Sequence, residues 1–323
     1  MDYAESLKWY DALSRSGIKP GLERVGELLE KLGNPHKKLK YVHVAGTNGK
    51  GSFCSVMSGI LSCAGYKTGL FTSPFVFGFE EQLQIDGKYI SENALARLFT
   101  CVEEKCAGMS EQPTAFEALT AAAFLYFYEQ KCDFAVVECG MGGKNDCTNI
   151  IPSPEVAALM SVSKDHTAYL GDTVEKIAQE KCGIFKNGCY AVCYPENGDF
   201  PQPPQVVGVF KHSCEKANAR YSMANLNNIT VLEENLTSSL VGTPYGKITI
   251  PFAGRHQLAN FATVLEAVKA LRERGYIISD ADIKNGTQKA YMPARLEKLS
   301  DKPLVILDGG HNPGCADAVN GFF

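Results

Sequence analysis

The alternation of apolar and polar positions predicts a chain in which strands and helices follow one another. Residues 41–45 alternate and are rich in β-branched side chains, which is typical of a buried strand. After a glycine-rich turn, apolar side chains recur at the spacing of an amphipathic helix, at Phe53, Val56, Met57, Ile60 and Leu61. Further apolar runs predict strands over residues 67–72, 134–138, 156–162, 190–194 and 304–308.

Stretches between these strands predict helices over residues 5–13, 22–32, 93–105, 115–129, 172–184 and 258–271. Asp172 is the expected N-cap of its helix, because Glu175 follows three residues later as in a capping box. Residues 75–90 are expected to form an exposed hairpin or loop, and residues 206–252 short β segments. The pattern as a whole predicts an α/β fold with a mostly parallel sheet flanked by helices.

The length of 323 residues favours about two domains. Residues 293–302 form the expected boundary, which gives one domain over 1–294 and the beginning of a second α/β domain over 295–323. A strand and part of a helix cannot bury a core of their own. The second domain is therefore expected to be truncated.

Composition and charge narrow the class of protein. Hydrophobic content of 45% with 21% charged residues is ordinary for a soluble protein, and a net charge of −4 without a basic run argues against nucleic-acid or anionic-membrane partners. No apolar segment approaches the roughly 20 residues that span a bilayer. The 12 cysteines form no CxxC pair and the N-terminus is polar, so we expect free thiols in a cytoplasmic protein, and a monomer.

The segment Gly46-Thr-Asn-Gly-Lys-Gly-Ser52 follows the first of these strands and precedes its helix, which is the layout of a phosphate-binding loop. Lys50 is expected to neutralise nucleotide phosphates, and Ser52 to face a phosphate or a Mg²⁺ water. The general P-loop pattern has a glycine at the position of Val44 and a serine or threonine directly after the lysine, where this chain has Gly51. A glycine-rich turn with a solvated lysine is the alternative.

Three further polar residues follow predicted parallel strands, whose carboxyl ends collect ligands. Ser73, Glu138 and His166 together make a plausible Mg²⁺ site near a triphosphate, although histidine is a less usual ligand for this ion. The alternatives are a salt-bridged carboxylate at Glu138 and a hydrogen-bonded loop residue at His166.

Lys181 occupies the inward face of its predicted helix, four residues after Ile177 and three after Ala178. A buried ammonium must find a partner or lose its charge. Lys181 either snorkels to solvent or pairs with Glu138, or it is a neutral amine that captures CO₂ as a carbamate and becomes an oxygen ligand for metal.

Several spaced motifs together resemble one family. They are Gly46–Ser52, Thr72-Ser-Pro74, Val136–Gly143 with Asp146-Cys-Thr-Asn149, Asp165–Gly171, Glu180–Ile184, His256–Asn260, Pro293-Ala-Arg295 and Asp308–Pro313. From about Gly17 to its end the chain resembles folylpolyglutamate synthase, including bifunctional dihydrofolate synthases, within the Mur ligase superfamily. The resemblance implies the central domain of a Mur ligase.

The implied activity is an ATP-dependent ligase of folate biosynthesis and one-carbon metabolism. ATP phosphorylates the carboxylate of a folate or dihydropteroate, and the amine of L-glutamate displaces phosphate. The resemblance implies that phosphates are held by Thr47, Asn48, Gly49, Lys50, Gly51 and Ser52; Mg²⁺ by Ser73, Glu138, His166 and carbamylated Lys181; and ATP also by Asn260, Arg295 and Asp308. It implies pterin contacts from Gly17, Ile18, Lys19, Pro20, Thr114 and Phe116, and catalytic roles for Lys50, Lys181 and His311.

Three departures from the family pattern concern substrate contacts. Phe75 stands where family members usually have histidine, and Gln82 and Lys144 stand where they usually have arginine. If Phe323 is the true end, we expect weak or absent turnover. The competing hypotheses are a Mur-type ligase acting on a nucleotide-linked sugar and a non-catalytic nucleotide-binding remnant.

Overall fold

The computed structural model describes residues 1–15 and 17–322. Its helices are α1 (Tyr3–Ser14), α2 (Glu23–Lys31), α3 (Lys50–Cys63), α4 (Glu92–Cys106), α5 (Ala115–Glu129), α6 (Thr167–Leu170), α7 (Val174–Cys182), α8 (Pro204–Ala217), α9 (His256–Glu273), α10 (Asp280–Lys289) and α11 (Pro313–Asn320). Its strands are β1 (Lys40–Ala45), β2 (Thr68–Phe71), β3 (Leu83–Ile85), β4 (Lys88–Tyr89), β5 (Phe134–Glu138), β6 (Val156–Leu159), β7 (Tyr190–Cys193), β8 (Arg220–Met223), β9 (Thr230–Glu234), β10 (Ser239–Thr243), β11 (Gly246–Ile250), β12 (Glu297–Asp301) and β13 (Leu304–Leu307).

The main sheet has eight strands in the order β4-β3-β2-β5-β1-β6-β7-β8. The strands from β2 to β8 in that order are parallel, and the β3–β4 hairpin joins them antiparallel at one edge. The predicted mostly parallel α/β sheet is confirmed. Two smaller antiparallel sheets, β11-β10-β9 and β12-β13, complete the strands.

Helices cover both faces of the sheet, which explains why its central strands are apolar in nearly every position. Val42 and Val44 of β1 pack toward α3 and α9. Tyr41 and Ala45 of the same strand point to the other face, where α4 and α5 cover one half and α7 and α8 the other. The period of two along β1 therefore places its neighbouring side chains in different cores.

Parts of the secondary-structure prediction were wrong. Residues 204–217 form helix α8, where short β segments were expected, and α10 was not predicted. The N-cap of α7 is Thr173, whose side chain accepts from Lys176 N, while Asp172 instead pairs with Lys176 Nζ at 2.8 Å. The segment 75–90 does contain the hairpin, but it is not fully exposed, because Phe79, Glu81, Gln82 and Leu83 are buried.

Residues 297–301, which fell within the expected domain boundary, form β12 and pair with β13. The division into domains at 294/295 and the truncation of the second domain stay predictions. Among residues 1–15 and 17–322, no helix combines the length and the apolar character that crossing a bilayer requires.

Candidate active site

The carboxyl ends of four adjacent parallel strands bring the predicted site residues to one edge of the sheet. The glycine-rich loop follows β1, Ser73 follows β2, Glu138 is the last residue of β5, and His166 lies beyond β6. Since β2, β5, β1 and β6 are neighbours in that order, residues far apart in sequence meet here.

Two glycines allow the loop to pack closely against its surroundings. Gly46 has φ 157° and Gly49 has φ 84°, in the region that favours glycine. A Cβ on Gly46 would lie 2.6 Å from Met160 Cβ, and one on Gly49 would lie 2.2 Å from Asn260 Oδ1. The backbone is also fixed by Thr47, whose N–H donates to Ser161 O at 2.7 Å.

The first turn of α3 presents a cation and a buried hydroxyl. Lys50 Nζ donates to Thr47 O at 3.2 Å and lies 3.7 Å from Glu138 Oε1. Ser52 is 2% exposed, and its Oγ has no hydrogen-bond partner among the described residues. A buried hydroxyl without a protein partner is unfavourable, so this atom is suited to a ligand oxygen or a hydrated ion.

Glu138 faces the same loop from β5. Burial raises the pKa of its carboxyl, while the positive charges of Lys50 and Arg295 act to lower it. The backbone N–H of Ser73 donates to Glu138 Oε2 at 3.4 Å. Glu138 is therefore a buried carboxylate within ion-pair distance of Lys50, which agrees with the alternative role of a salt-bridged carboxylate and leaves the proposed metal role untested.

A cavity of about 330 Å³ lies against these groups, and we call it the nucleotide cavity after the ligand that the resemblance implies. Its walls include the expected Ser73, Glu138, Asn260, Arg295, Asp308 and His311, together with Thr47, Asn48, Gly49, Lys50, Gly51 and Ser52. The glycine-rich loop, Arg295 and residues 308–311 thus line a single cavity.

Asp308 shapes the wall of this cavity through backbone contacts. Its carboxylate accepts from Leu296 N at 2.9 Å and from Gly310 N at 2.7 Å. Asn48 and Asn312 form a reciprocal amide pair, with N–O distances of 3.1 and 2.9 Å. Asn48 therefore uses its side chain to hold α11 against the glycine-rich loop.

Several side chains that line the nucleotide cavity were not predicted from the sequence, among them Tyr194, Phe200, Gln202 and His256. Gln202 is buried, accepts from Val162 N at 3.0 Å and donates to Met160 O at 3.1 Å, so it fixes the loop after β7 to the end of β6. His256 is the first residue of the motif that contains Asn260, so it could have been predicted from the sequence. The loop at 195–203 carries no comparable signal.

A second cavity of about 550 Å³ adjoins the first, and we call it the pterin cavity after the expectation for its residues. Ser73 and Pro74 line both cavities. The expected substrate residues Gly17, Ile18, Lys19, Pro20, Thr114 and Phe116 all line the second one. Phe116 stacks on Phe71, with ring centroids 5.8 Å apart.

Charged residues hold the loop at residues 17–20 against the pterin cavity. Arg24 NH2 donates to Lys19 O at 2.6 Å and lies 3.0 Å from Glu117 Oε1, and both Arg24 and Glu117 are largely buried. Lys19 itself pairs with Glu111 at 2.5 Å on the surface.

His166 lies apart from the other expected metal ligands. Its backbone is left-handed, with φ 47°, and its side chain is 44% exposed and lines the pterin cavity. The structure therefore brings Ser73 and Glu138 together and places His166 in the adjoining space. Within the described residues, no cluster of three or more histidine, cysteine, aspartate or glutamate side chains is arranged to hold a metal.

Lys181 is buried, as its helical position predicted, with 2% exposure. It neither snorkels to solvent nor pairs with Glu138; its Nζ donates to Gly46 O at 2.8 Å. Burial, helped by the charge of Lys50, lowers its pKa to about 7. Lys181 is thus partly a neutral amine near pH 7, directly behind the glycine-rich loop.

Comparisons with known proteins identify relatives of the chain. The sequence model of the family described as Mur ligase middle domain matches residues 44–268. The chain is 35% identical to a dihydrofolate synthase/folylpolyglutamate synthase of Bacillus subtilis, over 96% of the chain and 73% of that protein. It is 32% identical to a folylpolyglutamate synthase of Lacticaseibacillus casei, over 99% of the chain and 76% of that protein.

Solved structures of folylpolyglutamate synthases are similar to this chain in fold and sequence. An FPGS–AMPPCP–folate complex superposes with a TM-score of 0.88 at 30% identity, over 100% of this chain and 81% of the other. A Mycobacterium tuberculosis folylpolyglutamate synthase complexed with ADP gives a TM-score of 0.88 at 31% identity, over 99% of this chain and 74% of the other.

Proposed function

The chain belongs to the family of folylpolyglutamate and dihydrofolate synthases, which are ATP-dependent ligases, and we propose that its two adjoining cavities hold ATP and a pterin substrate. The observation that carries this proposal is the shared wall at Ser73 and Pro74. A nucleotide bound on the glycine-rich loop and a pterin in the second cavity would meet there. A Mur-type sugar-nucleotide ligase and a binding remnant are not favoured by these relatives.

The reaction proposed has two steps. The carboxylate of a folate or dihydropteroate attacks the γ-phosphorus of ATP, which forms an acyl phosphate and releases ADP. The amine of L-glutamate then attacks the acyl carbon, an amide bond forms, phosphate leaves and the nitrogen loses a proton. Two anionic groups must approach each other, so positive charge in a closed site is required.

We propose that Lys50 and the backbone of residues 47–52 hold the phosphates, because the loop ends at the N-terminus of α3, where N–H groups and the helix dipole favour an anion. Asn260, Arg295 and Asp308 line the same cavity and are proposed ATP contacts. His311 also lines it and is, with Lys50 and Lys181, a proposed catalytic residue.

Mg²⁺ fits the donors present near the loop. Ser52 Oγ has no hydrogen-bond partner among residues 1–15 and 17–322, Ser73 carries a hydroxyl, and Glu138 supplies carboxylate oxygens. Oxygen atoms of these kinds are the ligands that Mg²⁺ prefers. Bound there, Mg²⁺ would neutralise charge on the phosphates. His166 is a proposed further ligand from the adjoining cavity.

We also propose that Lys181 carries a carbamate. Its neutral amine would add to CO₂ and lose a proton, which leaves an anionic carboxylate on nitrogen. The lowered pKa of about 7 supports this chemistry, because a neutral amine is needed. With ¹³C-bicarbonate, wild type should show a carbamate carbon signal that Lys181→Met lacks; an equal signal in both would contradict the assignment.

The proposed substrates are ATP, L-glutamate and a folate or dihydropteroate, acted on by a cytoplasmic monomer. The test is ADP release with ATP, Mg²⁺ and L-glutamate, with dihydropteroate and tetrahydrofolate in separate reactions. Release that needs both glutamate and a pterin is expected. ATP binding with no such release from either pterin would contradict the proposed ligase activity of this chain.

A further inference from the structure

The segment that leads to Arg295 is attached to the helix that begins in the glycine-rich loop. Ser55 lies on α3, one turn beyond Ser52, and is 6% exposed. Its Oγ donates to Tyr291 O at 2.8 Å and accepts from Tyr291 N at 3.1 Å. One hydroxyl thus satisfies both backbone polar groups of a residue 236 positions away.

Close packing brings the two segments together. Helix α10 crosses α3 where Gly59 faces Gly286, and a Cβ on Gly59 would lie 2.5 Å from Gly286 O. The chain leaves α10 at Lys289 and reaches Ser55 two residues later. Met292 then lies over the loop, since a Cβ on Gly51 would be 2.6 Å from its Cε.

From Tyr291 the contacts continue to the wall of the nucleotide cavity. Ala294 N donates to Glu297 Oε2 at 2.9 Å, and Ala294 O accepts from Gly309 N at 2.9 Å. Arg295 and Asp308, on either side of these contacts, line the nucleotide cavity. A displacement at Tyr291 would therefore move the Arg295 side of the cavity relative to the glycine-rich loop.

We infer that Ser55 is a positioning residue for ATP, which holds the 290–296 segment in register with the glycine-rich loop so that Arg295 faces the bound nucleotide. This inference rests on the proposed ATP site. Ser55 itself contacts Tyr291 of the 290–296 segment and is absent from the nucleotide cavity lining, so its effect on ATP is transmitted through Arg295.

The experiment compares ATP binding to wild type, Ser55→Ala, Ser55→Thr and Ser58→Ala by calorimetry with Mg²⁺. Ser58 is a matched control, since it is buried on the same helix three residues later. Ser55→Ala loses two hydrogen bonds, so its ATP affinity should fall about tenfold. Ser55→Thr keeps the hydroxyl and should recover most of this loss, Ser58→Ala should stay within about twofold of wild type, and dihydropteroate affinity should not change.

A second measurement separates positioning from general damage. Hydrogen–deuterium exchange of residues 290–296 should be faster in Ser55→Ala and unchanged in Ser58→Ala, while exchange in β1 and β5 stays as in wild type. In an Arg295→Lys background, Ser55→Ala should weaken ATP binding by less than it does in wild type, because both changes act on one contact.

The outcomes are distinguishable. Failure of wild type to bind ATP would overturn the proposed function and, with it, the ATP role of Ser55, whereas the exchange result still tests the attachment of the segment. The inference would be overturned if Ser55→Ala bound ATP as tightly as wild type, or if Ser55→Ala and Ser58→Ala lost the same ATP affinity. It would also be overturned if the effects of Ser55→Ala and Arg295→Lys on ATP affinity were fully additive.

Discussion

At the residue scale, burial of Lys181 affects both the free energy of unfolding and the protonation of its amine. Its helix places the amine in a dry environment with one carbonyl partner, Gly46 O. The protein therefore carries a destabilising charge whenever this lysine is protonated. The inward orientation was predictable from helical spacing, but its partner was not, because that depends on how closely α7 approaches the turn after β1.

The free energy of unfolding should depend on pH through Lys181. Its pKa is about 7 when folded and 10.5 as an ordinary lysine. Below pH 7 both states are protonated and the burial penalty is complete; between pH 7 and 10.5 the unfolded chain holds a proton that the folded chain has released, so stability rises with pH. Lys181→Met should abolish a rise on the order of 5 kcal/mol.

Urea unfolding from pH 6.5 to 9.5 in CO₂-free buffer covers most of this interval, so about 3 kcal/mol of the rise should appear in wild type. Lys176→Met is the control, because Lys176 is an exposed lysine of the same helix, and it should keep the wild-type slope. Lys186, whose pKa is lowered to about 8 by burial, contributes equally to all three proteins. A wild-type slope in Lys181→Met would refute the assignment.

The two ion pairs over the pterin cavity should differ in their effect on stability. Arg24→Met leaves the buried Glu117 without its cation, which should lower the free energy of unfolding by about 3 kcal/mol. Lys19→Met breaks a pair whose side chains are 42% and 50% exposed, so a much smaller loss is expected. Chemical denaturation of both variants checks the difference; similar losses would contradict it.

At the scale of elements, the long apolar patterns predicted the sheet and most helices, and failures occurred where local composition opposed the tertiary fold. Helix α8 contains Val-Val-Gly-Val-Phe, which favours a strand locally, but Val206, Val207, Phe210 and Cys214 make one buried helical face. Helix α10 has Ile283 as its one large apolar residue and docks through Gly286, so it offered almost no periodic signal.

The N-cap of α7 provides a test of structure against sequence pattern. Thr173 caps the helix in the structure, whereas the sequence favoured Asp172. Thr173→Ala should therefore lower the free energy of unfolding by about 1 kcal/mol. Asp172→Ala should change it much less, since its pair with Lys176 is on the surface. Thermal unfolding of both variants decides between them; the reverse order would favour Asp172 as cap.

At the scale of the whole molecule, the strand order determines which motifs become neighbours. The sequence predicted that Ser73, Glu138 and the glycine-rich loop lie at strand ends, and the order β2-β5-β1-β6 brings them together. It did not reveal that His166 faces the second cavity or that Gln202 supports the first. Both depend on how loops fold back over the sheet edge, and no periodic pattern encodes that.

Nucleotide binding should stabilise the entire fold. Mg²⁺-ATP at about one hundred times its dissociation constant should raise the free energy of unfolding by about 2.7 kcal/mol, because ligand binds the folded state alone. Lys50→Met should abolish most of this gain. Lys67→Met, which alters a lysine distant from the loop in sequence and absent from the nucleotide cavity lining, should retain it. Equal stabilisation of all three proteins would place ATP elsewhere.

The amide pair between Asn48 and Asn312 joins positions 264 residues apart. A contact of such sequence separation closes a very long loop, so it is expected to form late in folding, after the local helices and the central strands. The complete nucleotide cavity therefore exists only once the chain has been synthesised as far as α11 and this helix has packed on the glycine-rich loop. In a refolding experiment, ATP affinity should appear after the helical signal has recovered, so that the ligand reports the last step of assembly.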